Sequence, residues 1–159
     1  MTIRLNLGCG PDIRPGWTNI DAHPMHPGIT PGNVTRLDIP PGTVDEILAS
    51  DILEHMPLLE WPRVLAHWVG LLKPGGRITV QCPDMEALSR RVLEAAAMAD
   101  HVELDECMRR IFGGQNGPGM AHLCGFSGGR LSRALAECGC EVVDVSRHNW
   151  NVTVVGVMP

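Results

Sequence analysis

Short apolar runs along the chain alternate with longer stretches in which apolar positions recur at helical spacing. The short runs fall at residues 3–7, 18–21, 34–38, 46–50, 77–82, 141–147 and 152–157 and predict seven strands. Between the fourth and fifth runs, Val64, Leu65, Trp68, Val69, Leu71 and Leu72 share one face of a predicted helix. Lys73-Pro74-Gly75-Gly76 should stop it: a cation suits the negative helix end, proline cannot continue the helix, and glycine accepts the left-handed backbone beyond it. A second helical stretch runs from Met85 to about Ala99 and resumes after a break near Asp100 toward Ile111. A third runs from about Arg130 to Cys138 and ends at Gly139. Strands alternating with helices predict an α/β domain around a mostly parallel sheet. The last two strands are separated only by His148-Asn149-Trp150-Asn151, far short of the dozen or more residues of a parallel crossover, so they should form an antiparallel hairpin. No repeat, linker or low-complexity tract divides the chain, and residues 1–159 read as one domain.

Composition fits that picture: 44% of residues are hydrophobic, and 18 glycines and 13 prolines supply many turns. The formal net charge is −5, and the only adjacent basic pairs are Arg90-Arg91 and Arg109-Arg110. Nucleic-acid backbones reward a clustered basic face, so no nucleic-acid partner is expected. The N-terminus lacks a basic stretch followed by an apolar run, and nowhere do the ~18 consecutive apolar residues of a membrane span occur. Six scattered cysteines lack the density of a secreted disulfide scaffold. A soluble cytoplasmic protein with reduced thiols is the expectation; a homodimer is left open.

Chemistry enters at the strand ends. Leu5-Asn6-Leu7-Gly8-Cys9-Gly10 runs an apolar strand into a Gly-x-Gly turn, where a ligand can lie against bare backbone at the carboxyl edge of the sheet. Asp21 ends the second predicted strand and Asp38 the third, which places both acids on that same edge. A carboxylate at the end of the second strand can accept both hydroxyls of a ribose. A turn-capping role is the alternative for either acid.

The ordered set L-N-L-G-C-G (5–10), Asp21, L-D-I-P (37–40), D-I-L-E-H (51–55) and L-K-P-G-G (72–76) resembles the class I S-adenosylmethionine-dependent methyltransferases, and within them the small type 11 group. The resemblance covers about half of the chain. It implies a Rossmann-like fold with a seven-stranded, mostly parallel sheet and a C-terminal antiparallel hairpin. It implies S-adenosylmethionine as cofactor, contacted by Gly8, Cys9 and Gly10, with Asp21 on the ribose and Asp38 and Ile39 on the adenine side. Ser50 and Asp51 would lie toward the methionine end; His55, also read as a cofactor contact, would face the transferred methyl or hold the Asp51–Met56 turn through a local polar contact. Two departures stand out. Only residues 11–16 separate the glycine turn from the second strand, too few for the usual helix, which leaves Arg14 as a conceivable partner for the cofactor's carboxylate. No N-terminal helix is expected to roof the substrate side, the first strand beginning at residue 3.

Farther on, Phe112-Gly113-Gly114-Gln115, Gly117-Pro118-Gly119, His122 and Gly125-Phe126 resemble the acceptor-side segment of small methyltransferases found beside sugar-transfer enzymes. A small-molecule or saccharide acceptor is the resulting expectation, with glycine-rich loops able to close over it. His122 in that segment and His148 at the hairpin are the candidate bases, because imidazole titrates near neutral pH. Each also reads as a loop residue with a structural hydrogen bond. Cys138-Gly139-Cys140 and His23-Pro24-Met25-His26 are isolated pairs without the second half of a tetrahedral site, so no metal is expected. Two other functions compete. A nicotinamide-dependent oxidoreductase would need a glycine where Ile13 stands and a helix to hold a pyrophosphate. A cofactor-binding module, inactive alone or dependent on a partner, would explain the short first crossover.

Overall fold

The computed structural model describes residues 2–159. Its strands are β1 (Arg4–Leu7), β2 (Thr18–Asp21), β3 (Ile29–Pro31), β4 (Val44–Ser50), β5 (Leu72–Pro83), β6 (Glu141–His148) and β7 (Asn151–Val157). They form one sheet in the order β3-β2-β1-β4-β5-β7-β6. The first five run parallel, and β7 lies antiparallel to both β5 and β6. The expected terminal hairpin is therefore present, its turn tightened by a positive φ of 54° at Asn149. The helices are α1 (Trp61–Leu71), α2 (Met85–Ala97), α3 (His101–Phe112) and α4 (Gly128–Glu137), and a one-turn 3-10 helix spans Leu53–His55. Asp84, Asp100 and Ser127 cap α2, α3 and α4 by accepting backbone N–H bonds in the first turn. Among the described residues no helix is long and apolar enough to cross a membrane.

Two sequence expectations are corrected. Residues 34–38 do not form a strand; β3 is the three-residue segment before them, at the sheet edge where the missing N–H of Pro31 breaks no ladder. The later segment is held by α1 instead: the buried Trp68 indole donates to the Val34 carbonyl (2.8 Å), and the Leu37 N–H donates to His67 Nε2 (3.1 Å). The fifth strand is also longer than residues 77–82. It starts directly after α1, and its Lys-Pro-Gly-Gly stretch pairs with the chain end, Gly75 N–H to the Met158 carbonyl and Met158 N–H to that of Gly76.

The core lies on one face of the sheet. Leu5, Leu7, Ile47, Ala49, Ile78, Val80, Cys82, Val152 and Val154 point to that face and are buried with Leu65, Trp68, Leu131 and Leu135 of α1 and α4. The other face carries Arg4, Glu46, Arg77, Thr79, Gln81 and Thr153 in cross-strand register. A parallel sheet is usually apolar on both faces because helices cover both; here the alternation in β5 records a sheet covered mainly on one side.

The helix missing from the first crossover is replaced by two buried asparagines. Asn6 Nδ2 donates to the Asp12 carbonyl and to Asn19 Oδ1. Asn19 Oδ1 also accepts from Arg14 N–H, and its Nδ2 donates to the carbonyls of Arg14 and Trp17. Facing polar side chains on β1 and β2 thus satisfy the backbone of the connecting loop, which a helix would otherwise satisfy internally. Arg14 itself pairs with Asp12 at 2.8 Å.

Candidate functional site

The carboxyl ends of β1, β2 and β4 open on a cavity of about 530 Å³, a size typical of small-molecule sites. The glycine turn forms its floor. Gly8 has φ +61°, and a Cβ there would lie 2.5 Å from Ile52 Cγ1, so any side chain would both strain the turn and collide with the wall. Asp21 holds the turn: its Oδ2 accepts from Gly10 N–H (2.9 Å) and its Oδ1 from His23 N–H (2.8 Å). Burial, reinforced by the charge of Asp21, pushes the Cys9 thiol pKa up, so Cys9 remains a neutral side chain.

Asp51 marks the opposite wall. It follows β4 with φ +53°, a conformation that aspartate tolerates better than most residues. Its Oδ2 accepts from Ser50 Oγ and Gln81 Nε2, and its Oδ1 from Asn151 Nδ2. Three donors from β4, β5 and β7 hold one carboxylate at the sheet edge. Asp51 also borders a second cavity of about 390 Å³, lined further by Glu54, Glu106, Arg109, Arg110, His122 and Asn151.

Between the cavities sits a side-chain cluster. Glu54 is 1% exposed, and among the described residues its carboxyl has no well-formed hydrogen bond, only its own backbone N–H and the Cys82 thiol close by. Burial raises its pKa to about 8, opposed by its own backbone hydrogen bond, and the Asp51 charge raises it further. His55 Nδ1 lies 3.0 Å from the Ala121 carbonyl, and His122 Nδ1 lies 3.0 Å from that of Arg110. A carbonyl can only accept, so each Nδ1 donates, and the neutral ring keeps its lone pair on Nε2. The two rings meet edge to face at 4.8 Å. Desolvation, then the neighbouring His55, lowers the pKa of His122. The backbone fixes the pairing: Leu123 and Cys124 N–H groups both donate to the Glu54 carbonyl. Gly113 permits it, since a Cβ there would lie 2.2 Å from the Met120 carbonyl and 2.9 Å from His122.

A methyltransferase-domain family model matches residues 10–80 of the chain. That match spans just under half of the chain and supports reading it as an S-adenosylmethionine-dependent methyltransferase. S-adenosylmethionine is the cofactor, and methyl transfer the activity, that the match supports. Solved structures share the fold at low identity. One is the Burkholderia thailandensis 1,6-didemethyltoxoflavin-N1-methyltransferase, solved with 1,6-didemethyltoxoflavin and S-adenosylhomocysteine bound (TM-score 0.68, 15% identity, 98% of this chain and 70% of that one). Another is a methyltransferase from Thermotoga maritima described as a possible histamine N-methyltransferase (TM-score 0.66, 14% identity, 100% and 83%). A third is an S-adenosylmethionine-dependent methyltransferase from Methanosarcina mazei (TM-score 0.64, 15% identity, 98% and 91%). No curated protein matches the sequence.

In this chain, Gly8, Cys9, Gly10, Asp21, Ser50, Asp51 and His55 all border the larger cavity. Asp38 and Ile39 do not border it; Asn33, Val34 and Thr35 line that wall, the segment being held by α1. His148 is exposed on the hairpin and borders neither cavity, whereas its strand neighbour Asn151 reaches Asp51. Pro118, Gly119 and Met120 border the larger cavity and Gly113 and Gly114 the smaller, so the glycine-rich segment reaches both. Sequence reasoning missed Glu54 as a site residue. Its signal was a lone carboxylate between Leu53 and Met56, both buried.

Proposed function

We propose that residues 1–159 act as one methyltransferase domain that holds its cofactor in the larger cavity and presents a small-molecule or saccharide acceptor from the smaller one. The observation that carries this reading is Asp51, a strand-end carboxylate shared by both cavities. Donor and acceptor must meet at such a boundary. When bound, S-adenosylmethionine supplies an activated methyl group for in-line displacement.

The chain's residues then have separate tasks. Each oxygen of Asp21 receives one backbone N–H and keeps a lone pair for one of two adjacent ribose hydroxyls. Gly8, Cys9 and Gly10 offer backbone against which the donor lies. Asn33, Val34 and Thr35 flank the adenine in place of Asp38 and Ile39, while Ser50, Asp51 and His55 face the methionine end. On the acceptor side, Arg109, Arg110 and Glu106 supply orienting charges, and His122 takes the proton that a hydroxyl acceptor must lose. The free thiols of all six cysteines suit a reducing, cytoplasmic setting.

Calorimetric titration tests the donor half: S-adenosylhomocysteine binds and NADH does not. At a hundredfold excess over its dissociation constant, S-adenosylhomocysteine stabilises the fold by ~2.7 kcal/mol. That raises the melting temperature by a few degrees. A shift with NADH instead overturns the assignment of the cavity. Transfer of tritiated methyl groups into a size-fractionated cell extract then identifies the acceptor class.

A further inference from the structure

A buried carboxylate needs a compensating charge or a set of donors; among the described residues Glu54 has only its own backbone N–H and the Cys82 thiol nearby, neither in full hydrogen-bond geometry. The side chains closest to supplying a site for such a charge are two imidazoles. One ligand atom each of Glu54, His55 and His122 lies within 4.8 Å of the other two. Both rings are oriented as metal-binding histidines are: one nitrogen donates to a backbone carbonyl, which fixes the ring and leaves the other nitrogen's lone pair available. Two imidazoles and one carboxylate form a ligand set that binds zinc-type cations while leaving a coordination position for substrate.

We propose that Glu54, His55 and His122 hold one divalent transition cation of the zinc type in the wall between the two cavities, with its open position toward the acceptor. A bound +2 charge displaces the Glu54 carboxyl proton to solvent and offsets the carboxylate left behind, and nearby Asp51 brings further negative charge. An acceptor oxygen on the open position would lose its proton more readily. No bond to the protein forms or breaks, and the released proton passes to solvent through the open second cavity. The proposal builds on the acceptor reading but changes the role of His122 from base to ligand. Turnover falls in His122→Ala under either role, so cation uptake is the deciding measurement.

The full chain is stripped with chelator and titrated with Zn²⁺ and, in parallel, with Co²⁺ as a spectroscopic substitute. The parent is expected to take up one equivalent, with visible Co²⁺ bands and no thiolate charge-transfer band. Glu54→Gln and His122→Ala should each weaken uptake at least tenfold, while His148→Ala should match the parent. Zn²⁺ should raise the melting temperature of the parent and leave that of Glu54→Gln unchanged. Glutamine has the shape of a protonated glutamate, and retained S-adenosylhomocysteine binding verifies that the variant is folded. Absence of stoichiometric uptake by the parent overturns the proposal. So does equal affinity in Glu54→Gln, or a strong thiolate band placing the cation on Cys82 or Cys124. A parent that takes up no cation yet binds cofactor and transfers methyl groups would sink this inference and leave the proposed function standing.

Discussion

The two cavities share Asp51 and are otherwise built from different materials. The larger is made of backbone turns at strand ends with apolar walls from Val34, Ile52, Met56 and Met120, and Asp21 ties the glycine turn to the loop after β2. The smaller is made of ionisable side chains, Glu54, Glu106, Arg109, Arg110 and His122, carried in from helices and loops. Under the proposed function the difference is a division of labour. A fixed cofactor can be held by geometry that strand ends provide, whereas an acceptor is chosen and activated by charge. The glycines follow the same division. Gly8 keeps the first cavity open against Ile52, and Gly113 lets the His122 segment approach α3.

The largest expected effect that would break this contrast is at Gly8. Gly8→Val should abolish S-adenosylhomocysteine binding measured by calorimetry, because the side chain meets Ile52 in a left-handed turn. Measurable binding would show that the turn is not the cofactor floor. Next comes His122→Ala, expected to reduce turnover by roughly 10²–10⁴ with a hydroxyl acceptor. S-adenosylhomocysteine affinity should stay within about twofold of the parent, as His122 borders only the smaller cavity; parental turnover would return His122 to a loop-ordering role. Asp21→Ala should weaken S-adenosylhomocysteine binding at least tenfold, in line with ~1–3 kcal/mol for polar groups left unpaired. A folded variant with parental affinity would reduce Asp21 to a turn anchor. Smallest is Arg133→Ala, which removes an exposed pair with Glu137 on α4, remote from both cavities. Its unfolding midpoint in urea should shift by no more than ~0.5 kcal/mol equivalent, with activity retained.

The larger cavity was mostly legible before folding because its determinants are local. A strand running into Gly8-Cys9-Gly10, and an acid closing β2, dictate their conformation within a few residues. The terminal hairpin was legible for the same reason, since four residues cannot make a parallel crossover. The third strand was not. Residues 34–38 have a strand-like pattern, but the Trp68 indole and His67 of α1 claim their backbone groups, and only packing determines that competition.

The second cavity depended wholly on tertiary structure. Glu54 and His55 come just after β4, and His122 follows α3; nothing in either segment specifies the other. They meet because Leu123 and Cys124 bond to the Glu54 carbonyl and because Gly113 leaves room for His122. Burial then transforms what the residue types alone suggest, keeping the Glu54 carboxyl protonated to about pH 8 and His122 more readily neutral. Sequence by itself determined the alternation of strands and helices, the glycine turn and the acid that holds it, because those follow from backbone preferences over short spans. Which ionisable groups face one another, and with what charge, was decided only by the folded chain, because proximity and desolvation are properties of packing.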